Sequence, residues 1–303
     1  MTVKTIPNDR CKLCLKQDKL ENSHIISSFV FRWLKETSGT GHFRSGGTIN
    51  RRSQDGAKEY WLCPEHEDLF SRWETEFASR VFHPLTSGKA SQFQYQEWLL
   101  KFACSLSWRV LLYLKETSGL SHFTEELRQE ADRALGTWAE FLLGRRHEPG
   151  KYEQHLVVLG EIVEHTVQDM PANINRYLLR SVAIDAACSD REAYVYVKLP
   201  YILLIGFINI ERPEEWEGTM VHAKQGVVGS SEWSLPRSVL EFIMGRARRA
   251  SELQQNISAR QQEAIRKSFM KNIDRLPETE TFKATQADVA LFGREAFTKA
   301  RKS

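Results

Sequence analysis

The sequence predicts an α+β protein in two parts. A small zinc-binding module of about residues 1–84 is expected to pack on a mostly helical body, 85–303, that carries a short antiparallel β-meander. Three observations predict this. Two short-spaced pairs of metal-ligand residues, Cys11/Cys14 and Cys63/His66, lie in loop-rich segments with too little core of their own. After Pro84 the chain turns to long amphipathic helical patterns. Near 192–223 that period gives way to runs dense in β-branched and aromatic residues.

Composition narrows the class. At 303 residues the chain is long enough to bury real cores. A formal charge of +3 permits a nucleic-acid partner without arguing for one, so any such surface must rest on local clusters. No apolar run approaches the roughly 18 residues of a membrane span, and the longest, Tyr201 to Ile208, contains Gly206. The opening MTVKTIPNDR lacks the apolar segment of a secretory signal. Five cysteines, an odd number, suit a reducing compartment better than a disulfide framework. A cytoplasmic protein without membrane contact is expected.

Element by element, residues 1–20 form the first knuckle region. A short helix is expected from Ser28 as N-cap, carrying Phe29, Trp33 and Leu34 and stopping at Gly39. Residues 37–58, rich in Gly, Ser, Thr, Asn and Arg, read as an extended hairpin or exposed loop. EYWLC reads as a strand entering a second knuckle, and EDLFSRWETEFASRVF as a helix with Leu69, Phe70, Trp73, Phe77 and Val81 on one face. In the body, YQEWLLKFACSLSWRVLLYLKE is a strong helix, in which Cys104 is a small buried hydrophobe. A second helix is capped by Thr124 and ends at Gly144. Residues 152–168 fit helix or strand, and ANINRYLLRSVAIDAAC reads as helix, with Cys188 buried at its end. AYVYVKLP and YILLIGFINI are strands, GTMVHA offers a third, and SLPRSVLEFIMGRARRASELQQ returns to helix with Ser234 as cap. The charged tail is expected to be helical with a turn at Pro277. LKETSGTGHF and LKETSGLSHF agree at eight of ten positions, but no second Cys-x-x-Cys precedes the later copy, which points to reuse of a helix stop rather than duplication.

With Cys104 and Cys188 set aside, Cys11, Cys14 and Cys63 need a fourth ligand, and His66 supplies it. Cys-x2-Cys and Cys-x2-His place two tight turns that can converge on a tetrahedral Zn²⁺. The second pair opens a helix, which is the treble-clef arrangement. The competing reading is a buried Cys63, a surface His66 and a reactive dithiol at Cys11/Cys14.

A Cys-x-x-Cys, then SHIISSFVFRWLK, then QDGAKEYWLCPEHEDLFSRWETEF resembles the zinc-containing HNH (ββα-metal) endonucleases, and more narrowly a largely uncharacterised bacterial group related to them. The resemblance covers about residues 11–82, with His66 standing where that group carries a second Cys. It implies a structural zinc that does no chemistry, and a general base, His24 by position, that activates water for attack on phosphorus. It also implies a catalytic Mg²⁺ or Mn²⁺, held by Glu67 at the position after the last knuckle ligand, with Glu21 or Asp55 as further ligands. Two departures stand out. Ser23 occupies the place of the acidic neighbour of the base, and the family's middle Asn is missing, with Asn50, Gln54 and Asp55 the nearest substitutes. His24 therefore has three readings: base, structural histidine or zinc ligand.

Arg44, Arg51, Arg52 and Lys58 cluster in the loop between the two expected strands, where guanidinium groups would meet phosphate oxygens, and Trp61 would stack or pack. Arg246, Arg248 and Arg249 form a second cluster, for which a solvated helix face is the plain alternative. The function expected is an HNH-like, metal-dependent hydrolysis of DNA phosphodiesters, in bacterial defence against phage or mobile elements if the resemblance extends that far. The body would recognise the target or a partner protein. The other reading is a non-catalytic, zinc-stabilised module that binds nucleic acid or a protein, as the two departures favour.

Overall fold

The computed structural model describes residues 8–189, 192–229 and 233–297. The first seven residues of the knuckle region and the last six of the helical tail lie outside them. In the amino-terminal part, β1 (Asn8–Arg10) and β2 (Gln17–Lys19) pair antiparallel around the Cys11–Cys14 turn. Leu15 closes that turn in the left-handed region, φ 63°, with its N–H donated to Cys11 O at 2.8 Å. β3 (Glu21–His24) leads into α1 (Ser28–Glu36). The N-cap is Ser27, one residue earlier than expected, and the helix stops at Thr37, before Gly39. After the loop, β4 (Lys58–Leu62) pairs antiparallel with β3, and α2 (Pro64–Phe77) follows with Pro64, Glu65 and Glu67 in its first turn, a composition that suits a helix start. A π-helical turn at 78–82 joins α2 to α3 (His83–Thr86).

The body opens with β5 (Phe93–Gln96), α4 (Glu97–Ser118) and α5 (Glu125–Leu142), the last capped as expected by Thr124 Oγ1, which accepts from Leu127 N at 3.2 Å. Next come β6 (Gln154–Val158), α6 (Ile174–Arg180), β7 (Ala183–Cys188), β8 (Ala193–Leu199), β9 (Ile202–Asn209) and β10 (Gln225–Val228). The chain ends in α7 (Arg237–Gln255), α8 (Ala259–Lys271) and α9 (Glu280–Phe292), with the expected break at Pro277. β6, β9, β8 and β7 form one antiparallel sheet in that order, and β10 pairs with β5 apart from it.

Four expectations need correcting. The segment read as one helix over 172–188 is α6 followed by β7, because the fully buried Lys198 donates to the carbonyls of Leu178 and Ser181 and ends the helix there. Pairing with β8 then overrides the alanines' helical preference. The third strand offered at GTMVHA is only an isolated bridge, His155 to Met220, on the edge of β6. Ser234 does not cap α7, whose N-cap is Pro236; its hydroxyl donates to Glu215 O at 3.1 Å. The short meander is in fact a four-stranded sheet covered on both faces.

Strand alternation explains that cover. Val195, Val197 and Leu204 face α4 and α5, while Tyr194, Tyr196, Leu203 and Phe207 face α6 and α7, so every residue of β8 is buried. Gly206 permits the closest approach, since a Cβ there would lie 2.4 Å from Ser107 Oγ on α4. The core on the α4 side continues without a break into the amino-terminal part, through stacked Phe77 and Phe102, with ring centroids 4.0 Å apart. Trp61 packs there too, edge-on to Trp108. Two body arginines add polar ties. Arg180 donates to Leu34 O and Thr37 Oγ1 at the end of α1, over the Trp33 ring, and burial draws its guanidinium down to about 10. Arg109 reaches the end of β3, as described below.

Candidate metal centre and its surroundings

The paired turns bring four ligand atoms together. Those of Cys11, Cys14, Cys63 and His66 all lie within 4.8 Å of one another, and among the described residues no other group of three or more such side chains does so. His66 Nδ1 is 3.8 Å from Cys11 Sγ and 2.9 Å from Cys63 Sγ. Three thiols and one imidazole brought this close on two tight turns are a donor set compatible with zinc. Cys11, Cys63 and His66 are buried, and Cys14 is half-buried.

Local electrostatics fit a cation. Burial works against a Cys11 thiolate, yet hydrogen bonds from the backbone of Cys14, Cys63 and Leu13 outweigh it and hold the thiol below its ordinary range. Burial, with the neighbouring thiols Cys11 and Cys14, pushes Cys63 up to about 12. A divalent cation among them would reverse that repulsion. Burial also lowers His66, keeping its imidazole in the neutral form a metal needs.

His24 lies outside this cluster, opposite Lys58 at the end of the β3–β4 pair away from Cys63. Its Nε2 lies 2.7 Å from Asp55 Oδ1, and the other oxygen of Asp55 meets Lys58 Nζ at 2.6 Å. Burial would raise the Asp55 carboxyl, but bonds from Lys58 and His24 overcome it and hold it at about 2. An ionised Asp55 accepts a hydrogen bond from Nε2–H, which in the neutral ring leaves Nδ1 as the lone-pair nitrogen. On β3 the next residue back, Ser23, is buried and donates to Glu67 Oε2 at 2.5 Å, which ties the strand to the first turn of α2. Alternation along β3 sends Ser23 and His24 to opposite faces. Glu21 lies opposite Leu62, where the register with β4 shifts. Glu21, Asp55 and Glu67 therefore do not form one compact ligand set among the described residues.

No family model, no curated protein and no solved structure matches the chain.

The most informative residue that sequence reasoning passed over is Arg109. It is 3% exposed, sits on α4, and donates through Nη1 to His24 O at 2.9 Å. Its Nη2 lies 2.7 Å from Glu74 on α2, an ion pair outside hydrogen-bond angles, and its guanidinium covers Phe70. A lone arginine inside SLSWRVLLYL was the available signal, since a buried charge demands a partner.

The structure separates the predicted basic residues. Arg51 and Arg52 are exposed and Arg44 half-buried in the loop, where no carboxylate among the described residues pairs with any of the three. Lys58 is joined to Asp55. Arg246 pairs with Asp185 at 2.7 Å, Arg248 donates to Asp169 O at 2.6 Å, and Arg249 pairs with Glu252 at 3.3 Å, so each of these guanidiniums has an internal partner. Asn50, the nearest stand-in for the missing Asn, accepts from Ser258 N at 2.7 Å and donates to Asn256 O, fastening the loop to the turn between α7 and α8.

Proposed function

We propose that the amino-terminal part is a treble-clef zinc module of the ββα kind that hydrolyses DNA phosphodiester bonds, with His24 as general base. The observation that carries this is the 2.7 Å contact between His24 and Asp55, at the end of a strand paired with the one that leads into the metal cluster. In this reading Cys11, Cys14, Cys63 and His66 hold zinc, which ties β1, β2 and α2 together and takes no part in the reaction. Asp55 fixes the tautomer of His24, and Nδ1 takes a proton as water attacks phosphorus and the bond to the leaving oxygen breaks. Arg51 and Arg52 supply positive charge to the phosphate oxygens. Mg²⁺ or Mn²⁺ would add charge stabilisation. Asp55 is already committed to His24 and Lys58, and Glu67 to Ser23, so no step is assigned to such an ion.

That commitment favours a second reading: a zinc-stabilised module that binds nucleic acid without cutting it. Plasmid cleavage with Mg²⁺ or Mn²⁺, for wild type and His24→Ala, separates the two. The nuclease reading predicts cleavage that falls by about 10²–10⁴-fold in the variant. Cleavage unaffected by the substitution contradicts it, and folded, zinc-loaded protein that cuts nothing supports the second reading.

A further inference from the structure

The loop places His42 and Arg44, to which neither reading gives a role, beside Arg52. His42, Arg44 and Arg52 line a small notch of about 20 Å³ between the loop and α8, to which Thr40 and Ser268 add hydroxyls. Arg44 is held rigidly by bonds to Ile49 O at 2.9 Å and to Gln261 Oε1, on α8, at 3.1 Å. Arg52 Nη1 lies 3.4 Å from His42 Nε2, and the Gln54 side-chain amide lies 3.4 Å from Nδ1 on the other side of the ring. Burial, then Arg52 and Arg44, lower the His42 imidazole; burial and Arg52 lower Arg44. The described residues give this repulsion no carboxylate to offset it. A folded chain that fixes three such groups around one notch gains by binding an anion there. The notch admits a single oxygen rather than a whole phosphate group.

We infer that this notch seats a phosphate oxygen of a nucleic-acid backbone, gripped by Arg44, Arg52 and His42 and closed by α8 from the far end of the chain. The inference rests on the nucleic-acid reading of the loop and adds two things: a histidine ligand, and a role for the carboxy-terminal helices in holding Arg44 through Gln261. It needs no cleavage, so the two ideas can fail separately.

The test uses the full-length, metal-loaded protein and follows the His42 ring signals by NMR during titration with inorganic phosphate, then with a short DNA duplex. Saturable movement of those signals is expected in wild type and in His24→Ala. Arg52→Ala should weaken phosphate binding about tenfold or more, the scale of one charge-assisted bond. Gln261→Ala, which changes no charge, should weaken it severalfold. Duplex binding should lose roughly one unit of salt slope for each cation removed. Unmoved His42 signals, or a Gln261→Ala protein that binds like wild type, would overturn the assignment. Phosphate that the duplex does not displace would mark a seat for a free anion and overturn the nucleic-acid part. Cleavage without His42 movement leaves the nuclease reading standing and removes the seat; movement without cleavage does the reverse.

Discussion

At the scale of single residues, the chemistry at His24 turns on Asp55. Its folded value of about 2 lies below the ordinary 3.8, so the stabilisation from its pairs is present above about pH 4 and lost as pH falls through about 2. Asp55 is 45% exposed, and solvent screening keeps that stabilisation within about 1 kcal/mol. Carboxyl NMR of Asp55 should therefore show titration near 2, and titration near 4 would mean that Lys58 and His24 do not engage it. The convergence of Cys11, Cys14, Cys63 and His66 was legible because Cys-x2-Cys and Cys-x2-His spacing each place two donors on one tight turn. The pairing of His24 with Asp55 was not. They are 31 residues apart, with α1 and most of a long loop between them, and the β3–β4 pairing brings them together.

At the scale of elements, Arg109 joins three of them: α4, α2 and the end of β3. Removing one member of a buried ion pair leaves the other charge uncompensated, which typically costs about 3–5 kcal/mol. Arg109→Met should lower the denaturation midpoint by that measure, and adding Glu74→Gln should restore part of it. A loss under about 1 kcal/mol would show that the pair does not tie the elements. Helices with strong period, such as α4, or with period and a cap, such as α5 behind Thr124, were legible. The division of 172–188 into α6 and β7 was not, because the residue that ends the helix, Lys198, lies beyond it in the chain. Ser234 misled for a related reason, since its hydroxyl is drawn to Glu215.

At the scale of the whole molecule, a continuous core links the metal cluster to one face of the sheet, while the other face has a core of its own. Loss of one of the four clustered donors should loosen the molecule unevenly. In Cys63→Ser, hydrogen exchange should quicken across β3, β4 and the start of α2, while β8 and β9 stay protected. Uniform exchange through both parts, or none altered, would contradict this arrangement. The change of pattern at Pro84 predicts two parts, yet one core crosses it, with Phe77 stacked on Phe102. The three-layer body was not legible, because β6 and β7 are short and polar at points and gain their identity only by pairing.

Everything proposed for the amino-terminal part depends on four donors sharing one ion, and X-ray absorption at the zinc edge of the purified protein tests that most directly. One zinc per chain is expected, with three sulfurs at about 2.3 Å and one nitrogen at about 2.0–2.1 Å. An absent metal, or a shell of oxygens, would contradict it.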